Sequence, residues 1–313
     1  MNWLTLPHRL RARGVLGMNA RNAGVIAGLN PRALYPVVDD KLTMFELCRR
    51  VGIPTPDVYA VFERHGDLRH LDETLAARPD CVLKPARGSS GRGVILLTGP
   101  AAGGYRRHNG SVVPVADLRG HLADVLSGLY SLGGRPDRAM VQERLTTHPA
   151  FERISYRGTP DVRVLVYRGV PALAMLRLPT LESGGRANLH QGGVGVGIDL
   201  ATGRTTRAVW RDRPVTRHPD TGEGLTDREV PDWPAVLSLS RTVARATGLG
   251  YVGVDLVPAE GRGPMVLEAN ARPGLAIQIA NGVGLWGAFE RIDRTVAADF
   301  GQAPSEAPAD RAP

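Results

Sequence analysis

The chain has 313 residues, enough for one large domain or two of ordinary size, and its 42% hydrophobic and 22% charged content is that of a globular protein. No apolar run reaches membrane-spanning length, which excludes a helical membrane protein. A net charge of +8 favours anionic partners, but without a Lys/Arg run interleaved with aromatics, a helix-turn-helix signal or zinc-ligand spacing it favours a nucleotide or acidic peptide over nucleic acid.

Residues 1–36 carry Leu10, Leu16, Val25, Ile26 and Leu29 at roughly helical spacing and stop at Asn30-Pro31, which predicts a helical arm. Lys41 opens an amphipathic helix through Leu42, Phe45, Leu47 and Val51, ended by Gly52 with Pro54 beyond. Strands are predicted at 58–62, 81–85 and 94–97, with a helix over 68–77. Residues 99–116 read as a loop or small hairpin about Asn109-Gly110, 118–132 as a helix and 139–143 as a short buried strand. A hairpin about Arg168-Gly169 pairs 161–167 with 171–177. Residues 184–197 are Gly-rich and read as structured by something other than a core; 199–231 read as loop. A helix over 236–247 precedes a second hairpin, 251–257 with 265–269, and two further helices end near 299. The Pro/Ala-rich tail from 302 to 313 is expected to be disordered. Cys48 and Cys81, the only cysteines, read as buried free thiols in a reducing, cytoplasmic compartment.

Antiparallel hairpins without regular β-α-β alternation predict an α+β fold with sheets clasping a ligand, not a dinucleotide-binding sheet or a β/α barrel. In the last hairpin, Glu268 and Asn270 share a face and Asp255 on the partner strand can meet them. Two carboxylates and an amide suit Mg²⁺, although the same pattern alone could be a hairpin facing solvent. Lys84 ends an apolar strand directly before Gly88, Ser89, Ser90, Gly91 and Gly93, where free main-chain N–H groups can approach phosphate. This loop is neither a P-loop nor a dinucleotide fingerprint, because strand lies on both sides. Gln142, Glu143 and Leu145 offer a strand edge to a base and a carboxylate to a ribose. Asp161 and Arg163 share a strand face, and Arg186 and Asn188 lie in a Gly-rich loop suited to developing phosphoryl charge. The histidines lack metal-ligand spacing and no nucleophile motif recurs, so catalysis by a protein nucleophile is not expected.

In order and approximate spacing these segments resemble the ATP-grasp superfamily of carboxylate–amine ligases, within it the RimK-related, alpha-L-glutamate ligase-like proteins. The resemblance covers about 37–280. It runs through Asp39-Asp40-Lys41, Lys84-Pro-Ala-Arg-Gly-Ser-Ser-Gly-Arg-Gly93, Gln142-Glu143, Asp161-Val-Arg163, Arg186-Ala-Asn188, Asp255 and Glu268-Ala-Asn270-Ala-Arg-Pro-Gly274. It implies two α+β subdomains clasping ATP between antiparallel sheets. The expected division is a helical arm 1–36, a lid 37–140, an ATP and metal subdomain 141–301 and the tail, the region before Lys41 being reduced relative to RimK-type enzymes. It implies that Lys41, Lys84, Arg186 and Asn188 contact ATP phosphates. Gln142, Glu143 and Leu145 would hold adenosine with Asp161 nearby, and Asp255, Glu268 and Asn270 would bind two Mg²⁺ or Mn²⁺ ions. Arg163 and Arg186 would serve the transfer; Arg272 departs from the RimK-type pattern, which has smaller residues between the Asn and the Pro-Gly, and is a candidate to bind a substrate carboxylate. The implied reaction joins an amino acid or peptide carboxylate to an amine through an acyl-phosphate, possibly adding glutamate. An ATP-dependent phosphotransferase on the same fold and a non-enzymatic nucleotide or nucleic-acid binder stay open as alternatives, as does a homo-oligomer.

Overall fold

In the computed structural model, residues 6–88 and 91–299 are described; Ser89, Ser90 and the 302–313 tail lie outside the described residues. The first sheet contains β1 (Val58–Phe62), β2 (Asp80–Pro85), β3 (Ile95–Ala101), β4 (Gly104–Arg107), β5 (Val112–Val113) and β6 (Ala139–Glu143), in the order β1-β6-β2-β3-β4-β5. Alternation along β2 decides its faces. Cys81 and Leu83 are fully buried against Leu118, Leu122 and Val125, the i, i+4, i+7 stripe of the helix Val115–Leu126. Val82 and Lys84 therefore point the other way, together with Gln142, which stands opposite Val82 in β6.

The second sheet contains β7 (Asp161–Tyr167), β8 (Val170–Leu178), β9 (Val194–Ile198), β10 (Thr205–Trp210), β11 (Arg213–Val215), β12 (Tyr251–Ala259) and β13 (Gly263–Asn270), in the order β11-β10-β9-β8-β7-β12-β13. One face is covered by the helices Trp233–Thr247 and Lys41–Val51, through Val236, Val243, Met44 and Leu47. The other face is divided along its length. Leu165, Tyr167, Leu173, Met175 and Tyr251 lie under the N-terminal helices and the helices Ala276–Asn281 and Trp286–Asp299. The same face continues on the same strands into Asp161, Arg163, Arg177 and Asp255, beyond that apolar cover. Helices thus cover the apolar half and leave a charged half for a ligand.

Three expectations are corrected. Residues 194–198 form a fully buried strand, because Gly195 and Gly197 let the helix Ala276–Asn281 lie against the sheet; a Cβ on Gly197 would stand 2.9 Å from the Ala280 carbonyl oxygen. The 199–231 stretch contributes β10 and β11 and buries Leu225 and Val230. The helix expected to reach 132 stops at Leu126. The division at 140/141 also falls inside β6, which pairs with β1 and β2 through Glu143, and Met44, Leu47 and Ile53 pack with the second sheet.

The N-terminal arm braces the β12–β13 hairpin. Asn30, 2% exposed, donates through Nδ2 to the carbonyls of Tyr251 (2.6 Å) and Ala271 (2.8 Å) and accepts from the Tyr251 N–H (2.9 Å). These bonds tie the start of β12 to the chain leaving β13. Asn30→Ala leaves three buried backbone groups without partners, so it is expected to cost about 2–4 kcal/mol, measured as a lower urea midpoint at unchanged slope.

Candidate functional site

Between the two sheets lies a cavity of about 350 Å³. At one end its walls are apolar: Val82 and Leu96 from the first sheet, Leu145, Val257 and Leu267 opposite; the edge expected at Gln142–Glu143 is instead an inner strand, β6 lying between β1 and β2, and only the chain beyond it, at Arg144 and Leu145, is free of the sheet. At the other end Lys41, Lys84, Arg186, Asn188, Asp255 and Glu268 converge. A second cavity of about 240 Å³ adjoins it, sharing Lys41, Gly88, Arg177, Asn188 and Glu268 and adding Asp39, Arg163, His190 and Asn270.

Lys84 is 8% exposed, and its ammonium is pushed down to about 7, first by burial and then by the Lys41 charge, with Glu268 opposing. Lys41 donates to the Gly88 carbonyl (2.6 Å) and stands 3.9 Å from Glu268 Oε2. It is held there by its neighbour. Asp40 caps the helix Lys41–Val51 by accepting from the Leu42 and Thr43 N–H groups, and also receives Arg87 Nε (3.0 Å) and Arg138 NH2 (2.6 Å). Burial alone would raise the Asp40 carboxyl, but these donors hold it below the ordinary carboxylate range. One buried carboxylate thereby joins the first lysine's helix to the entry of the glycine loop.

The loop's described glycines serve different contacts. Gly91 (φ +69°) passes over the Arg186 side chain, where a Cβ would meet Cδ at 3.2 Å. A Cβ on Gly93 (φ +74°) would stand 2.7 Å from Cγ of the Tyr130 ring, and this glycine lies outside the cavity wall.

On the second sheet, Asp255 pairs with Glu268 and Gly253 with Asn270, a bulge following at Asp255/Leu256. Asn270 Nδ2 lies 3.4 Å from both Asp255 Oδ2 and Glu268 Oε1. Turning that amide over would present an oxygen to the same point, giving three convergent oxygens, a donor set that fits Mg²⁺. Among the described residues there is no cluster of three or more His, Cys, Asp or Glu suited to a metal, so the fit depends on the amide.

Asp255 is 1% exposed and is gripped by two arginines. Arg163 donates through Nε (2.7 Å) and NH2 (2.6 Å), and Arg177 through NH2 (2.8 Å), while Arg177 Nε reaches Asp161 at 2.5 Å. Burial would raise the Asp255 carboxyl, but the two guanidiniums outweigh it and hold it at about 2. Asp161 is raised instead, by burial and by the Asp255 charge, with Arg177 opposing. A carboxylate with about four lone-pair directions can keep these arginines and still offer one to a cation.

Of the other residues singled out in the sequence, Gln142 turns its amide to the Pro56 carbonyl (3.2 Å), and Glu143 is engaged by Arg262 and the Asp57 N–H. Arg272 lies apart from both cavities: NH2 donates to Asp39 Oδ2 at 2.9 Å and the guanidinium sits 5.0 Å from the Tyr35 ring centre. The sequence places Arg177 on the partner strand of Asp161 and Arg163 but gives it no separate role, and it gives none to Asp39 or Asp40 beyond their place in the Asp39-Asp40-Lys41 motif. Arg177 had a signal, since pairing about Arg168-Gly169 sets it opposite Asp161; the long-range partners of Asp40 had none.

The family model described as sugar-transfer associated ATP-grasp matches residues 20–294. A probable alpha-L-glutamate ligase of Xanthomonas oryzae pv. oryzae is 30% identical over 269 residues, covering 85% of this chain and 68% of that protein. Another, of Trichodesmium erythraeum, is 27% identical over 260 residues, 82% of this chain, and the chain spans 64% of that relative's length. The solved RimK domain ATP-grasp protein of Sphaerobacter thermophilus superposes with a TM-score of 0.46 at 16% identity, over 88% of this chain and 77% of that one. Since the family model spans nearly all the described residues, the chain belongs to the sugar-transfer associated ATP-grasp family and is similar to probable alpha-L-glutamate ligases.

Proposed function

We propose that the protein is an ATP- and Mg²⁺-dependent carboxylate–amine ligase that releases ADP and phosphate. The observation that carries this reading is the convergence of Lys41, Lys84, Arg186, Asp255 and Glu268 at one end of the inter-sheet cavity, with a second cavity opening beside the same Lys41 and Glu268. Adenine fits the apolar end, where the chain leaving β6 at Arg144 and Leu145 offers main-chain groups, Gln142 and Glu143 being paired to β1 and β2 on either side, and the triphosphate fits the charged end. Held by Asp255, Glu268 and Asn270, Mg²⁺ would neutralise charge on the β- and γ-phosphates.

A carboxylate in the second cavity attacks the γ-phosphorus as the bond to the ADP oxygen breaks, giving an acyl-phosphate. An amine then attacks the acyl carbon, phosphate leaves and the amine loses a proton. Lys84 and Arg186 hold the phosphates in line, and Arg163 and Arg177 stand where charge develops on the transferring group. No protein nucleophile enters either step, which agrees with the absence of a nucleophile motif. The relatives' printed name suggests glutamate as a substrate.

The test is ADP release with Mg²⁺ and ATP over a panel of carboxylates and amines, with products identified by mass. An amide product whose formation consumes one ATP is expected. Phosphorylated alcohol as the sole product would replace the ligase by a phosphotransferase.

A further inference from the structure

We propose that residues 210–221 form a strap that holds the loop 179–193 in its phosphate-facing position, with His218 as the positioning residue, an assignment that rests on the nucleotide reading above. The loop joins β8 to β9 and carries Arg186, which lines the first cavity, and Asn188, which lines both. Trp210, Arg211, His218 and Asp220 line neither cavity, so they reach a ligand only through the loop.

The strap grips both ends of the loop. At the entry, His218 Nε2 lies 2.9 Å from the Pro179 carbonyl oxygen, and the Asp220 carboxylate accepts from the Leu181 N–H at 2.8 Å. At the exit, Trp210 Nε1 donates to the Gly192 carbonyl at 2.9 Å; the same oxygen receives Thr180 Oγ1 at 2.8 Å, which ties exit to entry. Arg211 and Asp212 form the two-residue turn of the β10–β11 hairpin, both in the left-handed region (φ +50° and +58°), and Arg211 Nε donates to Glu182 Oε2 at 2.9 Å.

His218 fixes the shape of the strap itself. It is 1% exposed, and its surroundings satisfy one protonation state. Nε2 faces a carbonyl, which only accepts; Nδ1 faces the N–H groups of Asp220 (3.2 Å) and Thr221 (3.3 Å), which only donate. The ring is therefore assigned as the neutral Nε2–H tautomer, bridging the Pro179 carbonyl and the turn that presents Asp220. Burial acts in the same direction, holding the imidazole below the ordinary histidine value against the Pro179 bond and the Asp220 charge.

Short bonds carry this anchoring to the side chains that meet the ligand. Ser183 Oγ accepts from the Thr180 N–H (2.9 Å) and donates to the Thr180 carbonyl (3.0 Å), and the Ser183 carbonyl accepts from the Arg186 N–H (3.2 Å). A loop released at its entry must be ordered when phosphate binds, and that ordering is subtracted from affinity.

The test is calorimetric ATP binding to the full chain with Mg²⁺. Asp220→Ala, at an exposed position, is expected to raise the Kd about three- to tenfold, the worth of one hydrogen bond, with an unchanged urea midpoint. Asp220→Asn keeps an oxygen for the Leu181 N–H and should bind as the wild type does. His218→Phe fills the ring's space but makes neither bond, and should weaken binding at least about tenfold. In a chain that also carries Arg186→Ala and Asn188→Ala the loop has no ligand contact left to position, so Asp220→Ala should no longer change the Kd. Wild-type affinity in Asp220→Ala, an equal penalty in both backgrounds, or Asp220→Asn as weak as Asp220→Ala overturns the strap and leaves the nucleotide reading standing. Should His218→Phe fail to fold, the Asp220 variants still decide. A wild-type protein that binds no ATP overturns both.

Discussion

Glu268→Ala is expected to lower ATP-dependent ADP formation about a thousandfold while leaving the fold intact. Glu268 belongs to the wall of both cavities, 3.9 Å from Lys41 Nζ and 3.4 Å from the Asn270 amide, in register with Asp255. At the proposed metal site its removal would leave Asp255 and Asn270 alone as donors, and it takes away the Lys41 partner in the same step. The side chain is 36% exposed, and the buried Lys84, which loses the Glu268 charge, can shed its proton because its ammonium is already pushed down to about 7, so unfolding should shift by about 1 kcal/mol or less. The pairing of lost turnover with an unchanged melt is the informative result. Full activity in Glu268→Ala would remove the residue from the chemistry.

Lys84→Met is expected to make the free protein more stable and to weaken ATP binding at least about a hundredfold. The ordinary lysine value near 10.5 falls to about 7 at this site. Below pH 7 both folded and unfolded chains carry the proton, and the native state bears the full cost of a buried ammonium. Between pH 7 and 10.5 the unfolded chain binds more protons than the native one, so this contribution improves as pH rises. The shift corresponds to a few kcal/mol. Methionine fills the same space without charge, so its advantage should be largest at pH 6–7 and shrink towards pH 10. A bound triphosphate reverses the balance by supplying the missing counter-charge. Urea midpoints of the ATP-free protein measured from pH 6 to 10, together with calorimetric ATP titrations, check both halves. If Lys84→Met were less stable than the wild type at pH 6, the buried-cation account would be wrong.

What the sequence disclosed follows the range of its signals. Period-two alternation and short turns are local, so the hairpins β7–β8 and β12–β13 were readable, and with them the facing of Asp255, Glu268 and Asn270. Lys84 was readable because an apolar strand runs directly into glycines. β9 was hidden because its buried face is made by Gly195 and Gly197, which register as turn signals until a helix is seen lying on them. The grip of Arg163 and Arg177 on Asp255 joins residues 92 and 78 positions apart, and Asn30 reaches Tyr251 and Ala271 across more than 200. No local pattern encodes such pairings. Arg272 shows what sequence adjacency leaves out: its NH2 donates to Asp39 and its guanidinium lies by the Tyr35 ring, contacts no local pattern encodes.

The central claim is that a nucleotide and its metal meet between the two sheets, at the Asp255–Glu268–Asn270 hairpin. A crystal of the protein with Mn²⁺ and a non-hydrolysable ATP analogue, measured at the manganese edge, tests it directly. The account predicts adenine against the chain leaving β6 at Arg144 and Leu145 and anomalous density about 2.0–2.4 Å from oxygens of Asp255, Glu268 and Asn270. Nucleotide bound elsewhere, or manganese held away from these three residues, would contradict it.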